Sequence, residues 1–273
     1  MPTDLSAAEP KLDAVTTQLP KIGAHVDQED PLAEARAREA DLVQFFLGDP
    51  QGWKAPEIRA GVETLKSATV DLYIHSPYVL NVATTNNRIR IPSRKLLTEH
   101  ADAAASIGAK ALIVHGGHVL KDDDPQVGID NWRKTFERWS PPLPIYIENT
   151  AGGENAMARH FDRLAMLWDA VGEFGPGFCL DTCHAHAAGE ALSNVVERVK
   201  AITGRIDLVH ANGSRDPFGS GADRHTNFED GEIDPALIVE VVRQANVPVV
   251  CETPNGVAGQ GADIAYLRKH LSA

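Results

Sequence analysis

From Lys21 onward the chain alternates between short runs that are apolar or β-branched at nearly every position and longer stretches of helical composition. Eight such runs stand out: "KIGAHV", "ADLVQFFL", "DLYIHSPY", "AKALIVHGG", "PIYIENT", "GFCLDTCH", "IDLVHANGS" and "VPVVCETP". Near-continuous apolar character marks strands covered on both faces, as parallel strands with helical crossovers are. Between the runs some helix starts are legible. Asp30 and Asp234 each place an N-cap before a proline at N1, and Ser93 is positioned to cap "RKLLTEHADAAASIG". Eight strand–helix units close readily into a barrel, so the pattern predicts an α/β fold, a single (β/α)₈ TIM barrel over residues 21–273. Residues 1–20 have no sustained periodicity and contain prolines; they predict a short flexible N-terminal extension.

Length alone does not choose between one barrel and two ordinary domains at 273 residues, and the strand count decides it. A hydrophobic fraction of 43%, with 22 Gly and 17 Pro, belongs to a globular chain with a large core. No run approaches the roughly 20 apolar residues of a membrane span, and the N-terminus lacks a basic region followed by an apolar core. A cytoplasmic protein without a membrane partner is expected. Cys179, Cys183 and Cys251 are an odd number lying in or beside apolar runs, which predicts buried reduced thiols. The net charge of -12 excludes a protein that coats nucleic acid by neutralising phosphates. Any contact with DNA needs local positive charge, which bound divalent ions can bring.

In a (β/α)₈ barrel, catalytic groups sit at the C-terminal ends of the strands. The third to eighth runs end in His75, His115, Glu148, Asp181 with His184, His210 and Glu252. After the seventh comes "ADRH", where Asp223 and His225 are two apart and so share one side of an extended loop. A single histidine at a strand end is ordinarily capped or solvated. Five histidines and four carboxylates converging on one mouth are costly unless cations pair with them. Imidazole with carboxylate and no thiolate favours Zn²⁺, with Mn²⁺ or Fe²⁺ as substitutes. Nine ligands exceed one tetrahedral ion, and one bridging carboxylate raises the effective count to ten, enough for three ions with positions left for water or substrate.

These residues, in the motifs "IGAHV", "ENTAG", "DTCHAHAAG", "DRH" and "ETP", resemble the endonuclease IV family of zinc-dependent abasic-site nucleases from about Ile22 to the C-terminus. The resemblance implies three zinc ions: one on His75, His115 and Glu148, a second on Glu148, Asp181, His210 and Glu252, and a third on His184, Asp223 and His225. Glu148 is then the catalytic bridge. It also implies a DNA-repair endonuclease, a monomer acting in the cytoplasm and on the nucleoid, that hydrolyses the phosphodiester 5′ to abasic sites in double-stranded DNA. The cut leaves a 3′-hydroxyl, and the ions activate the attacking water without a side-chain nucleophile. The loops after the second and third strands insert side chains into the base stack in this family. Here they offer Gln51, Trp53 and Tyr78 as wedges and Lys54, Arg88, Arg90, Arg94 and Lys95 for phosphates. Two departures are visible: Gly213 stands where the family usually carries an aspartate, and "FEDGEID" replaces a more glycine-rich turn. "GVAGQG" is a weak candidate phosphate loop. His25 is expected behind the ligands, whereas His100, His118, His160, His186 and His270 are expected to be surface or structural. Two rivals remain: a metal-dependent sugar isomerase or epimerase on a related barrel, and a noncatalytic zinc-dependent binder of damaged DNA.

Overall fold

All eight apolar runs become strands of one closed barrel in the computed structural model, which describes residues 19–58 and 61–272. Of the expected extension, residues 1–18 lie outside the described residues. The strands are β1 (Ile22–His25), β2 (Leu42–Phe45), β3 (Asp71–His75), β4 (Ala111–His115), β5 (Ile145–Glu148), β6 (Gly177–Asp181) and β7 (Leu208–His210). Two short strands, β8 (Gly213–Ser214) and β9 (His225–Thr226), form a hairpin above the barrel, and β10 (Val249–Cys251) closes it between β7 and β1. Every barrel pairing is parallel, so each strand delivers its C-terminal end to the same mouth.

The crossovers carry α1 (Pro31–Ala37), α2 (Val62–Lys66), α3 (Asn87–Ser106), α4 (Pro125–Phe136), α5 (Phe161–Val171), α6 (Thr182–Ala188), α7 (Val195–Thr203), α8 (Pro235–Ala245) and α9 (Gly256–Leu271). Asp30 accepts from the N–H of Ala33 and Asp234 from that of Ala236, both at 2.9 Å, so the two Asp-Pro starts are capped as the sequence implied. Ser93 is not a cap. α3 begins two turns earlier than that expectation, because Asn86 accepts from Arg88 N at 3.0 Å and Pro92 is carried inside the helix on its exposed face. Ser93 is buried instead, its Oγ accepting from Asn81 N at 2.9 Å. The "GVAGQG" segment is the opening of α9 rather than a loop. Its Gly259 lets the helix abut Pro254, whose carbonyl oxygen would lie 2.4 Å from any Cβ there.

Strand alternation sorts the core into two layers. Val43, Phe45, Leu72, Ile74, Leu112 and Val114 face outward into the main cluster shared with the helices. Leu42, Tyr73, Ile113, Cys179, Leu208 and Val250 point inward and plug the barrel, with Tyr146 packed against them. Two residues further along each strand the inward position is polar: Gln44, His75, His115, Glu148, Asp181, His210 and Glu252, joined by His25 on β1. The apolar plug is thus the floor of a polar chamber at the mouth.

Candidate metal centre

Glu148, fully buried at the end of β5, is the hub of this chamber. Its Oε2 lies 3.2 Å from His75 Nε2 and 3.3 Å from His115 Nε2. Its Oε1 lies 3.0 Å from His210 Nδ1 and 3.3 Å from His184 Nδ1. His210 Nδ1 is in turn 3.2 Å from Glu252 Oε2 and 3.9 Å from Asp181 Oδ2. On the hairpin side, Asp223 Oδ1 lies 3.1 Å from His184 Nε2 and 3.2 Å from His225 Nε2. Burial opposes charge on Glu148, yet His210 and His115 outweigh it and hold the carboxyl well below the usual carboxylate range. Glu252 follows the same balance, with His210 and His25 overcoming burial.

Three sets of donor atoms result, the first two sharing Glu148 and the atoms of each set lying within 4.8 Å of one another: His75, His115 and Glu148; Glu148, Asp181, His210 and Glu252; and His184, Asp223 and His225. Bonds of about 2.1 Å around a tetrahedral ion separate donors by roughly 3.4 Å, close to the spacings found here. The ring nitrogens also fit a metal. His75 Nδ1 donates to Ser76 O at 2.7 Å and His184 Nδ1 to Asn149 O at 2.9 Å, leaving each Nε2 to face the chamber. Metal-bound histidines are tied in this way by the other ring nitrogen. His184 Nε2 and His225 Nε2 are buried without a well-formed hydrogen bond, an expensive condition that a cation between them and Asp223 would relieve. Cys179 and Cys183 could complete alternative sets with Glu148–His210 and Asp181–His225. Burial pushes both thiols up to about 12, so neither supplies a ready thiolate. All three cysteines are buried and unpaired.

Nothing in the strand-end pattern singled out three orienting residues. Asn149 and Asn212 hold Asp181: Asn149 accepts from Asp181 N at 2.8 Å, and Asn212 Nδ2 donates to Asp181 Oδ2 at 2.6 Å. Asn212 Oδ1 also accepts from Glu252 N at 2.8 Å. Gln44, the third, is wholly buried, and its Nε2 donates to Glu252 Oε1 at 2.7 Å. His25 does sit behind the ligands, with Nδ1 3.3 Å from Glu252 Oε1. His100 is buried in α3 and His186 is buried beneath the hairpin loop, its Nε2 donating to Asp216 O at 3.1 Å. His118 and His160 are exposed and His270 is half-buried.

The candidate DNA contacts divide. Trp53 and Tyr78 are each 48% exposed, and Tyr78 stands at the mouth with its ring 5.8 Å from that of His115. Gln51 and Lys54 are exposed on the β2–α2 loop. Arg88 and Lys95 line, with Trp53 and Ile91, a surface cavity of about 560 Å³. Arg90 and Arg94 are half-buried and brace the structure: Arg90 donates to Thr84 O at 2.8 Å, and Arg94 to Asn131 O at 2.7 Å.

Gly213 has a local cause. It pairs with Thr226 in the hairpin, and a Cβ there would lie 2.8 Å from Thr226 O and 2.9 Å from Asn227 O. The close strand approach that brings His225 over the chamber therefore excludes a side chain at 213. Among the described residues, no helix is long and apolar enough to cross a membrane.

Comparison with known proteins agrees with the fold. The profile of the xylose isomerase-like TIM-barrel family matches residues 32–270. Probable endonuclease 4 of Mycobacterium tuberculosis is 58% identical over 252 residues, covering 92% of this chain and 99% of its own length. Its counterpart in Mycobacterium marinum is 56% identical over the same extent. Endonuclease IV from Thermus thermophilus superposes with a TM-score of 0.79 at 26% identity, covering 93% of this chain and 99% of its own. A D-tagatose 3-epimerase-like protein superposes with a TM-score of 0.78 at 17% identity, over 92% of this chain and 97% of its own, a likeness of fold alone. With identity of 56–58% spread over nine-tenths of its length, and with the family's motifs meeting at one barrel mouth, this chain belongs to the endonuclease IV family of xylose isomerase-like TIM barrels.

Proposed function

We propose that this protein is a DNA-repair endonuclease that hydrolyses the phosphodiester 5′ to abasic sites in duplex DNA, acting as a monomer through three zinc ions and leaving a 3′-hydroxyl. The observation that carries the proposal is the trio of neighbouring donor sets, two of them joined at Glu148, which matches the number and chemistry of ligands such a centre needs. His75, His115 and Glu148 would hold one ion, Glu148, Asp181, His210 and Glu252 a second, and His184, Asp223 and His225 a third, with Mn²⁺ or Fe²⁺ as substitutes. Bound there, the ions supply an acidified water and neutralise charge developing on the phosphate.

The chain's own part is to fix those donors and shape the mouth. Ser76, Asn149 and Asn212 lock ligand orientation. Three divalent ions bring six positive charges to a mouth with four carboxylate ligands, which reconciles a polyanionic substrate with an acidic chain. The exposed Trp53, Tyr78 and Gln51 would fill the gap left in a base stack, and Lys54, Arg88 and Lys95 would meet phosphates. An abasic nucleotide has no base pair to break on extrusion, so selectivity needs no base-edge readout.

The test is elemental analysis paired with cleavage of a duplex carrying one abasic analogue, and with a ketose epimerisation assay on the same sample. About three zinc ions per chain with a 3′-hydroxyl product is expected. Ketose turnover without strand scission would establish the epimerase instead, and tight damage binding without scission the noncatalytic binder.

A further inference from the structure

Gln44 is a wholly buried amide in the middle of the apolar run of β2. A buried amide in that setting is costly unless every donor and acceptor is engaged. Here all are. Nε2 donates to Glu252 Oε1 at 2.7 Å and lies 3.0 Å from His25 Nδ1, while Oε1 lies 2.9 Å from His210 Nε2.

The chemistry of the partners settles which atom is which. An ionised carboxylate only accepts, so the NH₂ group of Gln44 must face Glu252 and its oxygen must face His210. An oxygen at that point requires the proton of His210 on Nε2. In the neutral ring that a metal requires, the lone pair of His210 is then on Nδ1, aimed at Glu148 Oε1 (3.0 Å), Glu252 Oε2 (3.2 Å) and Asp181 Oδ2 (3.9 Å). A lone pair converging with three carboxylate oxygens is the donor arrangement of a cation site. In the same stroke Gln44 occupies Oε1 of Glu252 and leaves Oε2 turned to that point.

We propose that Gln44 is a positioning residue of the metal centre, its single amide choosing the ring nitrogen of His210 and the carboxylate oxygen of Glu252 that face the second ion. The proposal rests on the metal centre proposed above. It predicts that the consequences of losing Gln44 concentrate on one of the three ions. The other two sets contain neither His210 nor Glu252.

The experiment uses the zinc-loaded full chain and two variants, Gln44→Leu and Gln44→Glu. Graded chelator competition measures zinc retention, and ¹H–¹⁵N correlation of the imidazole rings detects the protected Nε2–H of His210. Outer partners of metal ligands contribute about 10- to 100-fold in metal affinity. In Gln44→Leu, one zinc per chain should therefore be lost at about 10- to 100-fold lower chelator concentration, and the His210 Nε2–H signal should disappear by exchange. Gln44→Glu keeps an acceptor for His210 but places a carboxylate against Glu252. It should retain the His210 signal and still weaken the same zinc, which separates positioning from a general loss of packing. Wild-type chelator resistance together with an unchanged His210 signal in Gln44→Leu would overturn the proposal. A wild-type chain that binds no transition metal would overturn the metal centre itself, a result distinct from the first.

Discussion

Replacing Glu148 by alanine is the most demanding test of the site. The carboxylate is fully buried, and its two oxygens meet four imidazole nitrogens at 3.0–3.3 Å. It also belongs to two of the three His/carboxylate donor sets, so its removal would damage two of the proposed ion sites at once. Deleting one partner of a buried charge pair costs about 3–5 kcal/mol, because the other charges stay behind uncompensated. Here the uncompensated charges would be the ions, so the expected response is loss of metal. Expressed in the barrier, the same 3–5 kcal/mol corresponds to roughly 10²- to 10⁴-fold slower cleavage. Circular dichroism should stay near wild type, because the apolar plug and the outer core lie apart from the chamber. The assay reads zinc per chain and scission of an abasic duplex in one preparation, with exposed His118→Ala as the control expected to change neither. Full zinc content with cleavage within about tenfold of wild type, a barrier change of only about 1.4 kcal/mol, would refute the bridging role of Glu148.

Other consequences are as direct. Cleavage should proceed without added Mg²⁺, since ions held by several protein ligands are not recruited with substrate as Mg²⁺ usually is; strict dependence on millimolar Mg²⁺ would contradict the site. Gly213→Ala should force the β8–β9 strands apart and cost one zinc per chain, read by elemental analysis, because β9 carries His225; an unchanged zinc count would mean that the hairpin yields elsewhere. A thiol reagent should modify none of Cys179, Cys183 and Cys251 in the native protein and all three in denaturant, and rapid native labelling would contradict their burial. Burial lowers the His100 pKa beneath 6.5 despite the carbonyl of Leu96, so the unfolded chain binds that proton first. The sign follows: this contribution is present above pH 6.5 and is lost as pH falls through 6.5 toward the depressed value, by at most about 1.4 kcal/mol per pH unit. Urea unfolding from pH 7 to 5 should thus show a shallower acid decline in His100→Leu than in wild type, and parallel slopes would rule the contribution out.

The barrel was legible because parallel strands buried on both faces must be apolar at nearly every position, and all eight runs meet that demand. The same property concealed Gln44. A search for the residue that ends each apolar run finds His75, His115, Glu148, Asp181, His210 and Glu252, where polarity coincides with the strand end. On β2 the run continues through Phe45, Phe46 and Leu47, so a polar residue embedded in it reads as an interruption. Counting by two from the inward residue Leu42 arrives at Gln44 as surely as counting from Tyr73 arrives at His75. Alternation was therefore the better signal, yet it can be applied only once the inward phase of each strand is known, and that phase is set by the barrel as a whole.

The start of α3 and the hairpin were hidden for different reasons. Pro92 ordinarily marks a first turn, so a helix beginning near Ser93 is the natural local expectation. The Asn86 cap and the tertiary bond from Asn81 N to Ser93 Oγ reverse it. The hairpin depends on two residues pairing across an eleven-residue separation, Ser214 with His225. No local pattern announces strands of two residues each. Their effect on the site is nonetheless large, because α6 brings His184 to the chamber from the β6 side while β9 and the residue two before it bring His225 and Asp223 from the opposite side. The third donor set thus joins a helix fixed by the barrel to a loop held by a hairpin, and Gly213 is the point at which a single methyl group would separate them.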